Sequence, residues 1–413
     1  MQFNQIPADE IVKDKLKDLV RKNRLSHALL FLGKEGSAAL PLAISLAQFV
    51  LCERVNKQQT NKNEGFLFQN EGQDERNSDV LNDSCGECSS CLKVSQLMHP
   101  DVHFSYPALK RDSRHDKVLS TDYIGEWRDF VHNFPYNNVT DWLDYLKENS
   151  RSKIDNPVNK QGNISAFECD DISRKLSLKS FESSYKILIM WMPEYLGKEG
   201  NKLLKLIEEP PSNTLFILVA ENEESILPTI LSRTQVIRIP SFTDDQVTAT
   251  LIHKYQIQKE KAVRVAAVAA GNVREALLLL QNSEDDFQSH VRNWLNLIMK
   301  NKVEPLLKWI DEMNKLGREK QKEFLKYFVH LLSQAIRSSY IEEQQSVNLS
   351  ESHQDFCERI NKFANFEAKV SMVEELEKAI YYIERNANAR MLFHSLSIRF
   401  FHIIKDNSVI LVN

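Results

Sequence analysis

Residues 201–240, NKLLKLIEEPPSNTLFILVAENEESILPTILSRTQVIRIP, constrain this chain more than any other stretch. Leu203, Leu204, Leu206 and Ile207 fall at helical spacing and give one apolar face to a helix that Pro210 and Pro211 stop. Leu215 to Val219 is then an unbroken apolar run. A strand without polar alternation must be covered on both faces, the condition of a parallel sheet flanked by helices. Ser225 to Leu231 reads as a short helix, Ser232-Arg233-Thr234 follows it, and Val236, Ile237 and Ile239 form another strand. That order of elements makes the fold class α/β.

A second strand–loop–helix unit precedes it. His27 to Leu32 is an apolar strand, Gly33-Lys34-Glu35-Gly36-Ser37 a glycine loop, and Ala38 to Leu51 an apolar helix. This is the setting of a P-loop, GxxxxGK[ST], whose lysine reaches the β- and γ-phosphates and whose hydroxyl holds Mg²⁺. Counted from Gly33, the last three positions of that pattern hold Ala38, Ala39 and Leu40. Glycine, lysine and hydroxyl are all absent. Lys34, one residue past the first glycine, cannot substitute without a different loop path. The expectation is a P-loop fold without P-loop chemistry.

The cysteines carry the strongest local signal. Cys85, Cys88 and Cys91 lie in CGECSSC, and Cys52 ends the preceding helix. Three thiolates in one tight turn plus a fourth make a closed tetrahedral set, which suits structural zinc because no position is left for water or substrate. Thirty-two residues lie between Cys52 and Cys85, and the insert, about Asn56 to Ser84, reads as a flexible polar loop. His99, in the HPD turn, is the alternative fourth ligand. Cys169 and Cys357 stand alone as ordinary thiols. The N-terminus has neither a basic n-region nor an apolar h-region, and no apolar run approaches the ~20 residues of a membrane span. These features point to metal in a reducing cytoplasm rather than to disulfides.

With 413 residues, 42% hydrophobic and 27% charged, the chain has room for two or three ordinary globular domains. A net charge of -4 argues against a basic nucleic-acid binder. Residues 8–23 read as a helix with Ile11, Val12, Leu16, Leu19 and Val20 on one side and a solvated row of lysines and arginines around it. Between 104 and 160, aromatic residues such as Trp127, Phe130 and Trp142 recur at helical spacing. Interleaved aromatics can stack bases. Here Asp122, Glu126, Asp129, Asp141 and Asp144 lie among them, which favours a packed helical insertion; Ser150 to Gln161 reads as a loop, and Ile172 to Phe181 as a helix. Glu194 reads as a surface residue.

KLLKLIEEPP, ILPTILSR and the strands between them resemble the clamp-loader branch of the AAA+ proteins, and within it the delta prime family of bacterial DNA polymerase III. The resemblance is strong over 24–52, 85–101 and 163–283 and weak beyond. It implies an AAA+ P-loop-type parallel sheet domain over 1–240, with a zinc module at about 52–91 and an insertion at about 104–160. A small helical lid over 241–283 and an all-α collar over 287–413 would follow. The two acidic positions of the family's ATPase strand fall on Met190 and Trp191, and its water-orienting polar position falls near Ala220, beside Asn222. Arg274 matches the nucleotide-sensing arginine of active relatives and, with no triphosphate expected, reads as structural.

The function so implied is a non-hydrolysing stator, with no catalytic site of its own and no functional ATP binding, in the replicative clamp loader. Arg233 would be a trans arginine finger. Its partners would be the motor ATPase subunits, the clamp-opening subunit and, through them, the sliding clamp and primed DNA. From the residues alone, Arg233 is equally a surface arginine or one paired with Glu223 or Glu224. Two other readings stay open: an active AAA+ ATPase with an atypical loop, and a zinc-dependent nucleic-acid binder on an AAA+ frame.

Overall fold

The computed structural model describes residues 1–57, 82–110, 117–149, 162–281, 284–300, 302–338, 351–385 and 387–406. The polar insert expected at about Asn56 to Ser84 lies mostly outside them, as does the loop expected at Ser150 to Gln161. The chain forms two compact units, Met1–Leu277 and Leu278–Asn413.

The first unit is built on five parallel strands: β1 (Ala28–Gly33), β2 (Val102–Ser105), β3 (Lys186–Trp191), β4 (Thr214–Ala220) and β5 (Gln235–Ile239), in the order β2-β3-β4-β1-β5. β1 lies between β4 and β5, with Leu30 opposite Leu218 on one side and Val236 on the other. The apolar runs are buried on both faces, as their lack of alternation requires. β2 was not legible: four residues, VHFS, are too short to show a period.

Among the described residues, eight α-helices accompany the sheet: α1 (Glu10–Arg21), α2 (Ala39–Leu51), α3 (Ser89–Ser95), α4 (Ile124–Asn133), α5 (Val139–Asn149), α6 (Ala166–Ser177), α7 (Asn201–Glu208) and α8 (Pro228–Leu231). α2 is apolar but for Ser45 and Gln48, which are hydrogen-bonded, and is accordingly buried along its whole length. Three local expectations are corrected. Ile11 on α1 is 78% exposed, whereas Lys13 and Lys17 bury their stems and pair with Glu10 and Asp14. α6 ends at Ser177 rather than Phe181, because the Asp101 carboxylate accepts the N–H groups of Phe181, Glu182 and Ser183 and holds them in a turn. The short helix expected from Ser225 divides into a 3-10 turn, Glu223–Ser225, and α8, since Pro228 opens a new helix.

Three further helices follow β5: α9 (Asp244–His253), α10 (Lys259–Ala269) and α11 (Val273–Gln281). Thr243 and Gln246 form a reciprocal capping box at the start of α9. Gly271, at φ +81°, turns the chain out of α10, where a Cβ would lie 2.2 Å from the Phe242 carbonyl oxygen.

The described residues of the second unit form helices: α12 (Glu284–Met299), α13 (Val303–Lys315), α14 (Arg318–Ser338), α15 (Glu351–Phe363), α16 (Phe366–Glu384) and α17 (Ala389–Asp406). Trp294 stacks on Trp309 at 4.8 Å and is ringed by Phe324, Phe328, Phe393 and Phe400. The Trp294 indole N–H donates to Ser397 Oγ at 2.9 Å, so that buried polar atom is satisfied. Among the described residues, no helix is long and apolar enough to cross a membrane.

Candidate functional site

Open α/β sheets take ligands at the carboxyl ends of their strands, and here the glycine loop from Gly33 sits at that edge. The space between the loop, β3 and β4 is about 20 Å³, room for about one water. Gly33, Ser37, Leu40, Tyr136, Trp191 and Glu221 are among its lining residues. Met190 and Trp191, which stand at the acidic positions of the resemblance, are both buried. Trp191 packs against Trp127 at 5.2 Å and Phe130 at 6.3 Å. An apolar anchor for the insertion thus occupies the end of β3. The aromatic residues of the insertion are core residues, with Trp127 also stacked on Tyr106 at 4.1 Å and set edge-on to Trp142 at 5.3 Å.

Glu194 is not the surface residue that its sequence position suggests. Its Oε1 accepts the N–H groups of Glu221 at 2.6 Å and Asn222 at 2.9 Å, and burial raises its pKa. Glu221 itself is pushed up to about 8, by burial first and then by the nearby Glu35 and Glu194 carboxylates. Asn222 caps the 3-10 turn through its side chain, accepting from Glu224 N at 3.0 Å.

Arg274, at the start of α11, is buried against two carboxylates from distant segments. Its Nε and Nη2 donate to Asp141 at 2.5 and 2.7 Å, and its Nη1 donates to Glu35 at 3.0 Å. Its structural role thus has named partners. Asp141 is set by a reciprocal cap at the head of α5: its N–H donates to Asn138 Oδ1 at 3.0 Å, and Asn138 N donates back to its carboxylate at 3.3 Å. The N-x-x-D spacing of that cap was visible in the sequence; the partner 133 positions away was not.

The four cysteines meet. The sulfurs of Cys52, Cys85, Cys88 and Cys91 all lie within 4.8 Å of one another, with Cys85 and Cys91 at 3.8 Å. Sulfurs placed ~2.3 Å from one zinc in a tetrahedron stand roughly 3.8 Å apart, so the spacing fits that ion. Helix α2 delivers Cys52, the 85–88 turn delivers two thiols, and α3 delivers Cys91. The turn needs Gly86, at φ +73°. Cys85 N and Cys88 N point at the sulfurs of Cys52 and Cys85, both at 3.4 Å, as N–H groups do around a ligating thiolate. A hydrogen bond from Cys91 draws the Cys52 thiol down to about 4, while Cys91 is raised in return. His99 stands apart from this set: its Nδ1 accepts from Asp101 N at 3.1 Å.

Arg233 lies just after α8, with its side chain 34% exposed. Its guanidinium pairs with Glu208, the last residue of α7, and donates to the Thr229 carbonyl at 2.8 Å and Ser232 Oγ at 3.1 Å. Among the described residues, the carboxylates suggested by sequence proximity are not its partners: Glu223 pairs with Arg238 at 2.8 Å, and Glu224 donates its backbone N–H to the capping Asn222 side chain.

A profile of the family described as "DNA polymerase III, delta subunit" matches residues 8–73 and 67–243, more than half of the 413. The chain belongs to the DNA polymerase III delta-subunit family. It is 24% identical to the DNA polymerase III subunit delta' of Bacillus subtilis, over 65% of this chain and 58% of that one. Against the delta' subunit of Haemophilus influenzae the figure is 27%, over 51% of this chain and 48% of that one. The chain therefore spans about half the length of these two relatives. A solved gamma-subunit-related protein from Thermotoga maritima superposes over 94% of this chain and 98% of that one at 13% identity, with a TM-score of 0.36, and adds nothing to the assignment. The parallel sheet, the set of four cysteines and the helical C-terminal region expected from the resemblance are all present in this delta-family chain.

Proposed function

We propose that this chain is a non-hydrolysing stator subunit of a bacterial replicative clamp loader, working in the cytoplasm beside the ATP-binding motor subunits and the clamp-opening subunit. Through them it acts on the sliding clamp and primed DNA. Its chemical contribution is Arg233, offered as a trans arginine finger to ATP bound by a neighbour. A guanidinium placed on a transferring phosphoryl group stabilises its developing charge and is typically worth about 10³ to 10⁵ in rate. A single structural zinc on Cys52, Cys85, Cys88 and Cys91 holds the module beside α2.

The observation that carries this reading is the state of Arg233. It stands at the open end of α8, and its ion pair with Glu208 is partly solvated. Such pairs contribute only ~0–1 kcal/mol, so a phosphate can displace the carboxylate at little cost. The chain's own crevice supports the same reading. It has room for about one water, an apolar Leu40 at the hydroxyl position and Trp191 at an acidic one.

The test is the clamp- and DNA-stimulated ATPase rate of the reconstituted loader, with wild-type chain, with Arg233→Ala and with the chain alone. The expected result is an inert chain alone and a complex that assembles with Arg233→Ala yet turns over at least ~100-fold more slowly. An unchanged rate would remove the finger, and turnover by the isolated chain would remove the stator.

A further inference from the structure

Three segments far apart in the chain converge on the carboxyl edge of the sheet. Glu35 comes from the loop after β1, Asp141 from the hairpin of α4 and α5, and Arg274 from the head of α11. The guanidinium is buried and takes both carboxylates, Asp141 in a two-pronged grip. Glu35 is held in turn by the Asn138 side chain, Nδ2 to Oε2 at 3.2 Å. Beside this junction, Val273 N donates to the Gly36 carbonyl at 3.4 Å. Tyr136, in the turn between α4 and α5, meets Phe242 edge-on at 5.6 Å. The crevice where such a sheet would take a ligand is therefore occupied by the chain's own side chains.

We propose that the α4–α5 hairpin is a built-in replacement for a ligand, in which Asp141 and Glu35 hold Arg274 and so fasten residues 241–277 to the sheet with nothing bound. A buried arginine must keep its partners. Supplying them from residues 35 and 141 makes the joint independent of any small molecule. The two carboxylates, Glu35 and Asp141, outnumber the one guanidinium, so the crevice also opposes entry of a polyphosphate. This inference uses nothing from Arg233 and stands or falls apart from the finger.

Hydrogen exchange of the full chain tests it, comparing peptides within 241–277 with those of β4 and β5. In wild type, exchange over 241–277 is expected to be the same with and without millimolar Mg-ATP. In Asp141→Asn, exchange over 241–277 should quicken roughly 100-fold, since breaking a buried ion pair is costly, while β4 and β5 stay as protected as before. Glu35→Gln should loosen the same peptides, and it decides the matter if Asp141→Asn does not fold. Three results would overturn the proposal: unchanged exchange over 241–277 in the variants, equal loosening of sheet and helices, or nucleotide-dependent protection in wild type.

Discussion

Replacing Trp127 by alanine should unseat the insertion. The indole is fully buried, stacked on Tyr106 and in contact with Phe104, Phe130, Trp142 and Trp191. Truncating a buried tryptophan to alanine costs about 3–5 kcal/mol. Aromatic pairs add about 0.5–1.5 kcal/mol each beyond area, though not additively. The Trp127 indole N–H has no hydrogen-bond partner, so no bond is lost with it. The expected loss is about 4 kcal/mol, from packing alone. A unit this large shifts by roughly 2 °C per kcal/mol, so calorimetry of the full chain should find the transition of the sheet unit lowered by about 8 °C. A fall of less than about 2 °C would mean that Trp127 is not part of a continuous core with β2 and β3, and the account of Trp191 as the insertion's anchor would fail with it.

Metal analysis of protein made with zinc should give about one equivalent per chain, lost in Cys91→Ser and on acidification, because thiolates must be deprotonated to ligate. Less than about half an equivalent in wild type would refute the four-thiolate site. Glu221 gives a pH signature. Its folded value, about 8, lies above the ordinary 4.5. Across that window the folded chain holds a proton that the unfolded chain has released, so this residue's contribution to stability falls as pH rises. Glu221→Gln removes the dependence, and its melting temperature should gain on wild type steadily between about pH 5 and pH 8. A gap that does not change with pH would show that Glu221 is ionised in the fold.

Much of the architecture was legible. β1, β3, β4 and β5 announce themselves as apolar runs because a strand buried on both faces has no alternation to hide it. The helices after β5 follow from their periodicity, and the cysteine module from its spacing. Other features were hidden for reasons that can be named. β2 is too short to show a period. Ile11 belonged to an apolar pattern that tertiary packing overrode, since lysine stems can cover a core as well as isoleucine can. Phe181 lies in a helical pattern that Asp101, 80 positions earlier, interrupts.

The sequence by itself determined the α/β frame, the family, the loss of the P-loop residues and the set of cysteines, because each rests on residue type at short spacing. Only the tertiary structure decided that Cys52 rather than His99 joins the other three thiols, that Glu208 is the partner of Arg233, and that Glu35 and Asp141 share Arg274. Those choices turn on charges and sulfurs meeting across tens to hundreds of positions. Short-range pattern carries no record of such meetings; the folding of the chain around its sheet creates them.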